Sequence, residues 1–113
     1  MIRATKEAAG AVSLPPTTAR LFEPSVVPYF LWDLGMTVAE LRSVLAGGVS
    51  RSRDELVARI LREANTRDVW LFLDWATIEE AWSRIERRLG RARGVWEMMR
   101  RRRQENERAA SPP

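Results

Sequence analysis

Arginine side chains near the C-terminal end are the residues best suited to chemistry, and that chemistry is the binding of anions. Residues 84–108 hold ten arginines against four glutamates, a local charge of +6. The planar guanidinium fork matches the oxygens of phosphates and carboxylates. Three interpretations remain open: phosphate binding, an acidic protein partner, and a solvated helix face. The basic residues are Arg84, Arg87, Arg88, Arg91, Arg93, Arg100, Arg101, Arg102, Arg103 and Arg108.

Catalytic chemistry is poorly represented among the residue types. The chain contains no cysteine and no histidine, so thiolate nucleophiles, imidazole bases and the usual zinc ligand sets cannot be built. Asp33 and Asp74 each adjoin a tryptophan, which would raise the pKa of a buried carboxyl group. No second acid lies at a spacing that would pair with either on one helix face. We therefore expect no enzyme activity, no catalytic or metal-binding residue, no cofactor and no small-molecule substrate.

Five tryptophans against one tyrosine make the aromatic content lopsided. A small helical body needs bulky side chains to bury enough apolar area, so three or four indoles are expected in the core. One or two are expected at the surface, where tryptophan is enriched in interfaces. The tryptophans are Trp32, Trp70, Trp75, Trp82 and Trp96.

Length and composition predict one globular domain. The chain has 113 residues, 45% of them hydrophobic and 30% charged. We expect a flexible N-terminal arm at 1–20, a single helical domain at 21–108 and a frayed tail at 109–113. No apolar stretch has the length of a signal peptide core or a membrane span, which predicts a cytoplasmic protein without membrane contact.

Three capping boxes predict helix starts, because a Ser or Thr followed three residues later by Glu satisfies amides of the first turn. The pairs are Thr37 with Glu40, Ser52 with Glu55, and Thr77 with Glu80. Each precedes an apolar stripe at helical spacing. Beyond Gly90 a last helix is expected to run through the arginines. The predicted fold is all-α, a compact bundle of four to five short helices with the N-terminal arm and a basic C-terminal helix.

Two apolar segments are ambiguous. The segment 22–34 contains Pro24 and Pro28, which disfavour a long helix, and its aromatic residues either fill the core or form an exposed patch that docks a partner. The segment 69–73 is apolar nearly all round, so periodicity does not separate helix from strand. With helical neighbours and no second strand to pair with, a short helix capped by Thr66 or Asp68 is favoured.

The helix pair at 37–64 also resembles, loosely, a helix-turn-helix. Arg51, Arg53 and Asp54 at the start of its second helix would then reach phosphates or bases. The linker between the helices is longer than the usual three or four residues. A DNA-binding regulator that uses this pair or the C-terminal arginines is therefore the alternative hypothesis.

Three stretches of the chain resemble a family of small bacterial proteins: 28–33, 59–73 and 89–97. Their shared features are a Phe/Leu-Trp-Asp opening, an Arg-Ile-Leu helix, a Trp-containing helix after a polar turn, and a closing Gly-Arg motif. The resemblance covers residues 28–99. The matching positions are Trp32, Asp33, Asn65, Asp68, Trp70, Gly90, Arg91, Arg93, Trp96 and Glu97.

Members of this family resemble antitoxins encoded beside nucleotidyltransferase-type toxins of abortive infection. The resemblance implies a protein that masks the active site of such a toxin, and it places the partner-binding residues at Trp32, Asp33, Trp70, Arg91, Arg93 and Trp96. Nucleic acid or an acidic partner surface would be bound by Arg84, Arg87, Arg88 and the run Arg100, Arg101, Arg102 and Arg103. The expected partner is a protein, and DNA is a further candidate.

Overall fold

The computed structural model describes residues 16–110. Every regular element in that range is helical, which confirms the all-α prediction. The helices are α1 (Pro16–Arg20), α2 (Val38–Ala46), α3 (Arg51–Glu63), α4 (Thr66–Val69), α5 (Trp75–Ile85) and α6 (Ala92–Ala110), with 3₁₀ turns at Tyr29–Leu31 and Glu86–Arg88. The chain divides into two compact units, with the boundary between Glu40 and Leu41.

The ends of the chain differ from the predicted boundaries. Residues 1–15 of the predicted arm and 111–113 of the predicted tail lie outside the described residues. The remainder of the arm, 16–20, forms the short helix α1, whose Thr18 is buried, and proline fits the first turn of a helix because its missing N–H has no partner there. At the other end α6 continues to Ala110, two residues past the predicted end of the domain.

The first unit is held together by its proline-rich loop. The carbonyls of Val26 and Pro24 accept hydrogen bonds from the amides of Val38 and Ala39, at 2.8 and 3.0 Å. These are amides of the first turn of α2, which have no partner within the helix. Because prolines fix φ in this loop, its carbonyls are set in place to receive them.

The first predicted capping box is present at the start of α2. The Thr37 amide donates to Glu40 Oε1 at 2.8 Å, and the Glu40 amide donates to Thr37 Oγ1 at 3.2 Å. The aromatic segment before it divides between core and surface. Phe30 is buried, whereas the Trp32 side chain is 75% exposed. Of the two alternatives for this segment, core filling holds for Phe30 and surface exposure for Trp32.

The second unit is built around α3. Its predicted apolar face is buried, with Leu56, Val57, Ile60 and Leu61 inside, and α3 contacts α4, α5 and α6. The predicted stripe of α5 is buried as well, from Ile78 to Ile85, with Leu89 beyond its end. Gly90 then adopts a φ of 53°, a left-handed conformation that glycine tolerates. This turn separates α5 and the 3₁₀ turn that follows it from α6.

Two predicted capping boxes were wrong in register. Helix α3 begins two residues earlier than Ser52 and Glu55 would place it, because Ser50 Oγ accepts from the Arg53 amide at 3.1 Å. Helix α5 begins at Trp75, because the Asp74 carboxylate accepts from the Thr77 amide at 2.8 Å. In each case an earlier Ser or Asp reaches the orphan amides first.

Only Val69 of the segment 69–73 is helical, as the last residue of α4. Hydrogen bonds from the amides of Phe72 and Leu73 to the Val69 carbonyl continue the chain as a turn. The favoured prediction of a short helix over 69–73 was therefore wrong in position, because the helical turn lies at Thr66–Val69. The predicted cap at Thr66 or Asp68 was wrong, because Asn65 occupies the N-cap position.

Ser50 and Ser52 provide a direct test of where α3 begins. We expect Ser50→Ala to lower the free energy of unfolding by about 1 kcal/mol, because the Arg53 amide loses its acceptor. Ser52→Ala is the matched control and should change it by less than about 0.5 kcal/mol, since that side chain is exposed. Urea unfolding followed by circular dichroism measures both. Equal losses would place the cap at neither serine.

The Asp74 cap makes part of the stability depend on pH. Hydrogen bonds from the Thr77 hydroxyl and amide hold the pKa of Asp74 below its ordinary value of 3.8. A lowered folded-state pKa means that the stabilisation is complete above 3.8 and is lost as the pH falls through the folded-state pKa. Asp74→Asn keeps a capping oxygen without this titration. We expect the wild type and Asp74→Asn to have similar urea midpoints at pH 7. Between pH 4 and pH 2, the wild-type midpoint should fall further than the midpoint of Asp74→Asn.

Candidate functional site

The surface with the most binding potential surrounds three tryptophans of the second unit. The ring centroids of Trp70 and Trp75 lie 5.3 Å apart, and those of Trp70 and Trp96 lie 5.7 Å apart. The Trp75 and Trp96 centroids are 6.1 Å apart, so the three rings form one cluster. Offset and edge-to-face contacts at these distances are favourable beyond simple burial.

The three indoles differ in exposure. Trp96 is 3% exposed, and its N–H donates to the Leu61 carbonyl at 2.8 Å. Trp96 is therefore a core residue and not the surface contact that the resemblance implies, because α6 packs on α3 through this ring. Trp70 remains 40% exposed and Trp75 is half-buried.

A groove of about 550 Å³ lies between the start of α5 and the second half of α6. Trp75 forms one side, and Met99 and Arg103 lie on α6 opposite it. The Arg103 guanidinium carbon lies 5.5 Å from the Trp75 ring centroid, within the range of a cation–π contact. The lining residues, which we call the α6 groove, are Trp75, Met99, Arg102, Arg103, Asn106, Glu107 and Ala110.

The predicted run Arg100–Arg103 divides into two pairs with different roles. Arg100 donates two hydrogen bonds of 3.1 and 2.7 Å to Glu79 Oε1, and its guanidinium carbon lies 4.4 Å from the Trp82 ring centroid. Arg103 pairs with Glu107 at 2.9 Å and lies 3.9 Å from Glu79. Arg100 therefore links α6 to α5, and Arg103 pairs with the next turn of α6.

Arg101 and Arg102 are exposed and make no ion pair with any residue in 16–110. They project from α6 about 100° apart, because consecutive helical residues are rotated by that angle. Arg102 lines the α6 groove and Arg101 does not. The run predicted as one basic site therefore contains two structural residues and two available ones.

The remaining predicted arginines divide in the same way. Arg84 donates to Asp54 at 2.7 Å and to Glu80 at 2.8 Å, and Arg93 donates to Glu86 at 2.7 Å. The hydrogen bond that Arg84 donates to Glu80 lowers the pKa of Glu80, and the hydrogen bonds that Arg84 donates to Asp54 and Glu80 raise the pKa of Arg84. The predicted residues that are exposed and without an acidic partner in 16–110 are Arg87, Arg88, Arg91, Arg101, Arg102 and Arg108.

The helix-turn-helix residues are largely engaged within the second unit. Arg53 donates to the Leu45 carbonyl at 3.1 Å and lies 3.6 Å from Glu80, and Asp54 is buried against Arg84. Arg51 remains exposed. Because α3 is the central helix of this unit, only a narrow side of it faces outward.

The other predicted contact residues are not among those that line the α6 groove. Trp32 and Asp33 are exposed residues of the first unit, and Arg91 is exposed at the turn before α6. Sequence reasoning did not name Met99 or Asn106 as site residues, and it named Trp75 only as one of the five tryptophans and as the neighbour of Asp74. The signal that was available is the spacing of Met99, Asn106 and Ala110 along α6, which places them on one helix face.

The groove has the chemistry of a binding surface. Aromatic and thioether groups offer apolar contact, and the guanidinium of Arg102 offers donors to an anion. Within residues 16–110 no group of three acidic, histidine or cysteine side chains lies close enough to hold a metal ion. None of the helices described here combines the length and the apolar composition that crossing a bilayer requires.

Comparisons with protein-family models, with curated proteins and with solved structures find no match for this chain. The resemblance to the antitoxin-like family therefore stays a prediction.

Arginine substitutions can separate structure from availability in α6. We expect Arg100→Ala to lower the free energy of unfolding by about 2 kcal/mol, because it removes charge-assisted hydrogen bonds to Glu79 and the contact with Trp82. Arg101→Ala is the matched control, and a change within about 0.5 kcal/mol is expected. Thermal and urea unfolding measure both. Similar losses for the two variants would contradict this division of roles.

Proposed function

We propose that this chain is a protein-interaction module that binds its partner through the α6 groove and the neighbouring exposed indole of Trp70. The observation that carries the proposal is the exposure of aromatic, thioether and guanidinium groups beside one another. Tryptophan, methionine and arginine are the side chains enriched at the centres of protein interfaces. Their exposure at one place is unusual on a surface that serves only solvation.

Apolar residues of α6 extend this surface. Val95 and Met98 are 52% and 50% exposed, although they lie on the first turns of a helix whose other side is packed. Methionine side chains are flexible and polarisable, so they adapt to varied partner surfaces. An exposed apolar side of α6 supports protein binding more than phosphate binding, because phosphates do not reward apolar contact.

The finer proposal for the partner is a nucleotidyltransferase-type toxin, and it rests on the motif resemblance alone. Its physical basis would be an arginine-bearing helix that occupies an acidic, cation-binding catalytic cleft. The exposed Arg102 beside the α6 groove is compatible with such a role. The identity of a retrieved partner decides this point.

Nucleic acid binding is the second candidate function, and the six exposed arginines without acidic partners favour it. They fall into two groups: Arg87, Arg88 and Arg91 near the turn before α6, and Arg101, Arg102 and Arg108 along α6. Binding through these residues would weaken steeply as salt rises, because phosphate contacts release counterions. A protein interface centred on tryptophan and methionine would weaken far less.

The proposed function predicts one nuclease-resistant partner in cells that naturally encode the chain. Purification of the tagged full chain after nuclease treatment should retrieve one stoichiometric protein, identified by mass spectrometry. Met99→Glu should weaken binding of that purified protein about tenfold or more, equivalent to about 1.4 kcal/mol, because it places a charge against the apolar groove.

Arg101→Ala is the matched control and should bind the partner as the wild type does, since Arg101 lies outside the groove. Circular dichroism of both variants verifies that α6 is folded. Retrieval that nuclease abolishes, together with salt-sensitive binding to DNA duplexes, would favour the second candidate. A partner that binds Met99→Glu with unchanged affinity would exclude the groove as its site.

A further inference from the structure

The residues of the α6 groove have the spacing of a face that packs against another helix. Its residues on α6 recur at intervals of three and four, from Met99 through Asn106 to Ala110. This spacing places them in a stripe along one side of the helix. Trp75 stands beside the stripe at the first position of α5, so Trp75 and Met99 give the groove apolar contact surface.

The last two turns of α6 are exposed along the part of the helix that the structure describes. Every residue from Gln104 to Ala110 is exposed. Seven residues correspond to about 10 Å of helix. Helices in proteins owe most of their stability to packing of one face rather than to intrinsic propensity. A second helix packed along the groove would supply that packing.

The charge of the groove selects the kind of partner. Arg103 is neutralised by Glu107 at 2.9 Å, whereas Arg102 has no acidic partner in 16–110. Two copies facing each other through this groove would enclose four arginines with two glutamates. An acidic partner would instead match the free guanidinium, so charge complementarity favours it over a second copy.

We propose that the α6 groove takes an amphipathic helix of a partner protein, with an apolar side chain against Trp75 and Met99 and a carboxylate on Arg102. This inference rests on the proposed protein-binding function and adds the chemistry of the partner segment. The carboxylate and the guanidinium form a charge-assisted pair at the edge of an apolar contact.

Selection from a display library of short amphipathic helices tests the inference on the full chain. Peptides that bind are expected to carry a carboxylate beside an apolar stripe. Because the chain contains no cysteine, Asn106→Cys accepts a single environment-sensitive fluorophore inside the groove. Selected peptides should shift its emission. The same fluorophore on Ser52→Cys, an exposed position of α3 outside the groove, is the control and should report no change.

A charge exchange then identifies the contact. Arg102→Glu should weaken binding of a selected peptide about tenfold or more, and replacing the peptide's key acid by lysine should restore affinity toward Arg102→Glu. Arg101→Glu is the matched control, because it makes the same charge change one residue away on another side of α6. It should weaken binding by less than threefold.

Other outcomes overturn the inference. Selected peptides that are basic, or that bind Arg102→Glu as tightly as the wild type, would exclude an acidic helix at Arg102. Concentration-dependent dimers in sedimentation, dissociated by Met99→Glu, would assign the groove to a second copy. Peptides or a native partner that bind without shifting the Asn106→Cys fluorophore would exclude the groove as the site and leave protein binding through another surface, such as the exposed indole of Trp70. Failure to recover any peptide or partner would refute both.

Discussion

The indole of Trp96 fixes α6 on the second unit. Trp96 is the buried residue of this 19-residue helix, and its N–H donates to the Leu61 carbonyl near the end of α3. A buried indole without an acceptor would be unfavourable, so the hydrogen bond sets the rotation of α6 as well as its position. That rotation decides which arginines face α5 and which face solvent. The α6 groove depends on this anchor.

Glu79 extends the anchor by about two turns of α6, from Trp96 to Arg103. It binds Arg100 at short distance and attracts Arg103 more weakly, so α6 lies beside α5 as far as Arg103. The two guanidinium groups also cover the rings of Trp82 and Trp75. These arginines therefore contribute packing contacts as well as charge, because the side chain has a long aliphatic part and a planar guanidinium group. Beyond Arg103, every residue of α6 as far as Ala110 is exposed.

The sequence predicted helix type and core faces well but helix starts poorly. The apolar stripes of α3 and α5 were correct because burial imposes the helical period on the sequence. The starts at Ser52 and Thr77 were wrong, because Ser50 and Asp74 are equally good caps and the box pattern does not rank them. Packing decides between neighbouring caps. The same limit applied to the arginines, since pairing of Arg84 with Asp54 joins residues thirty positions apart.

The candidate site was predictable only in part for a related reason. Exposure of a tryptophan depends on how many neighbours the fold provides, and local sequence does not determine that number. Trp96 and Trp70 each match the motif resemblance, yet one is buried and the other lies 40% exposed. The groove arises from the length of α6, because this helix continues past Trp96 and brings Met99 and Arg102 to the groove that Trp75 also lines. The groove is thus a consequence of a helix that extends beyond the residue that anchors it.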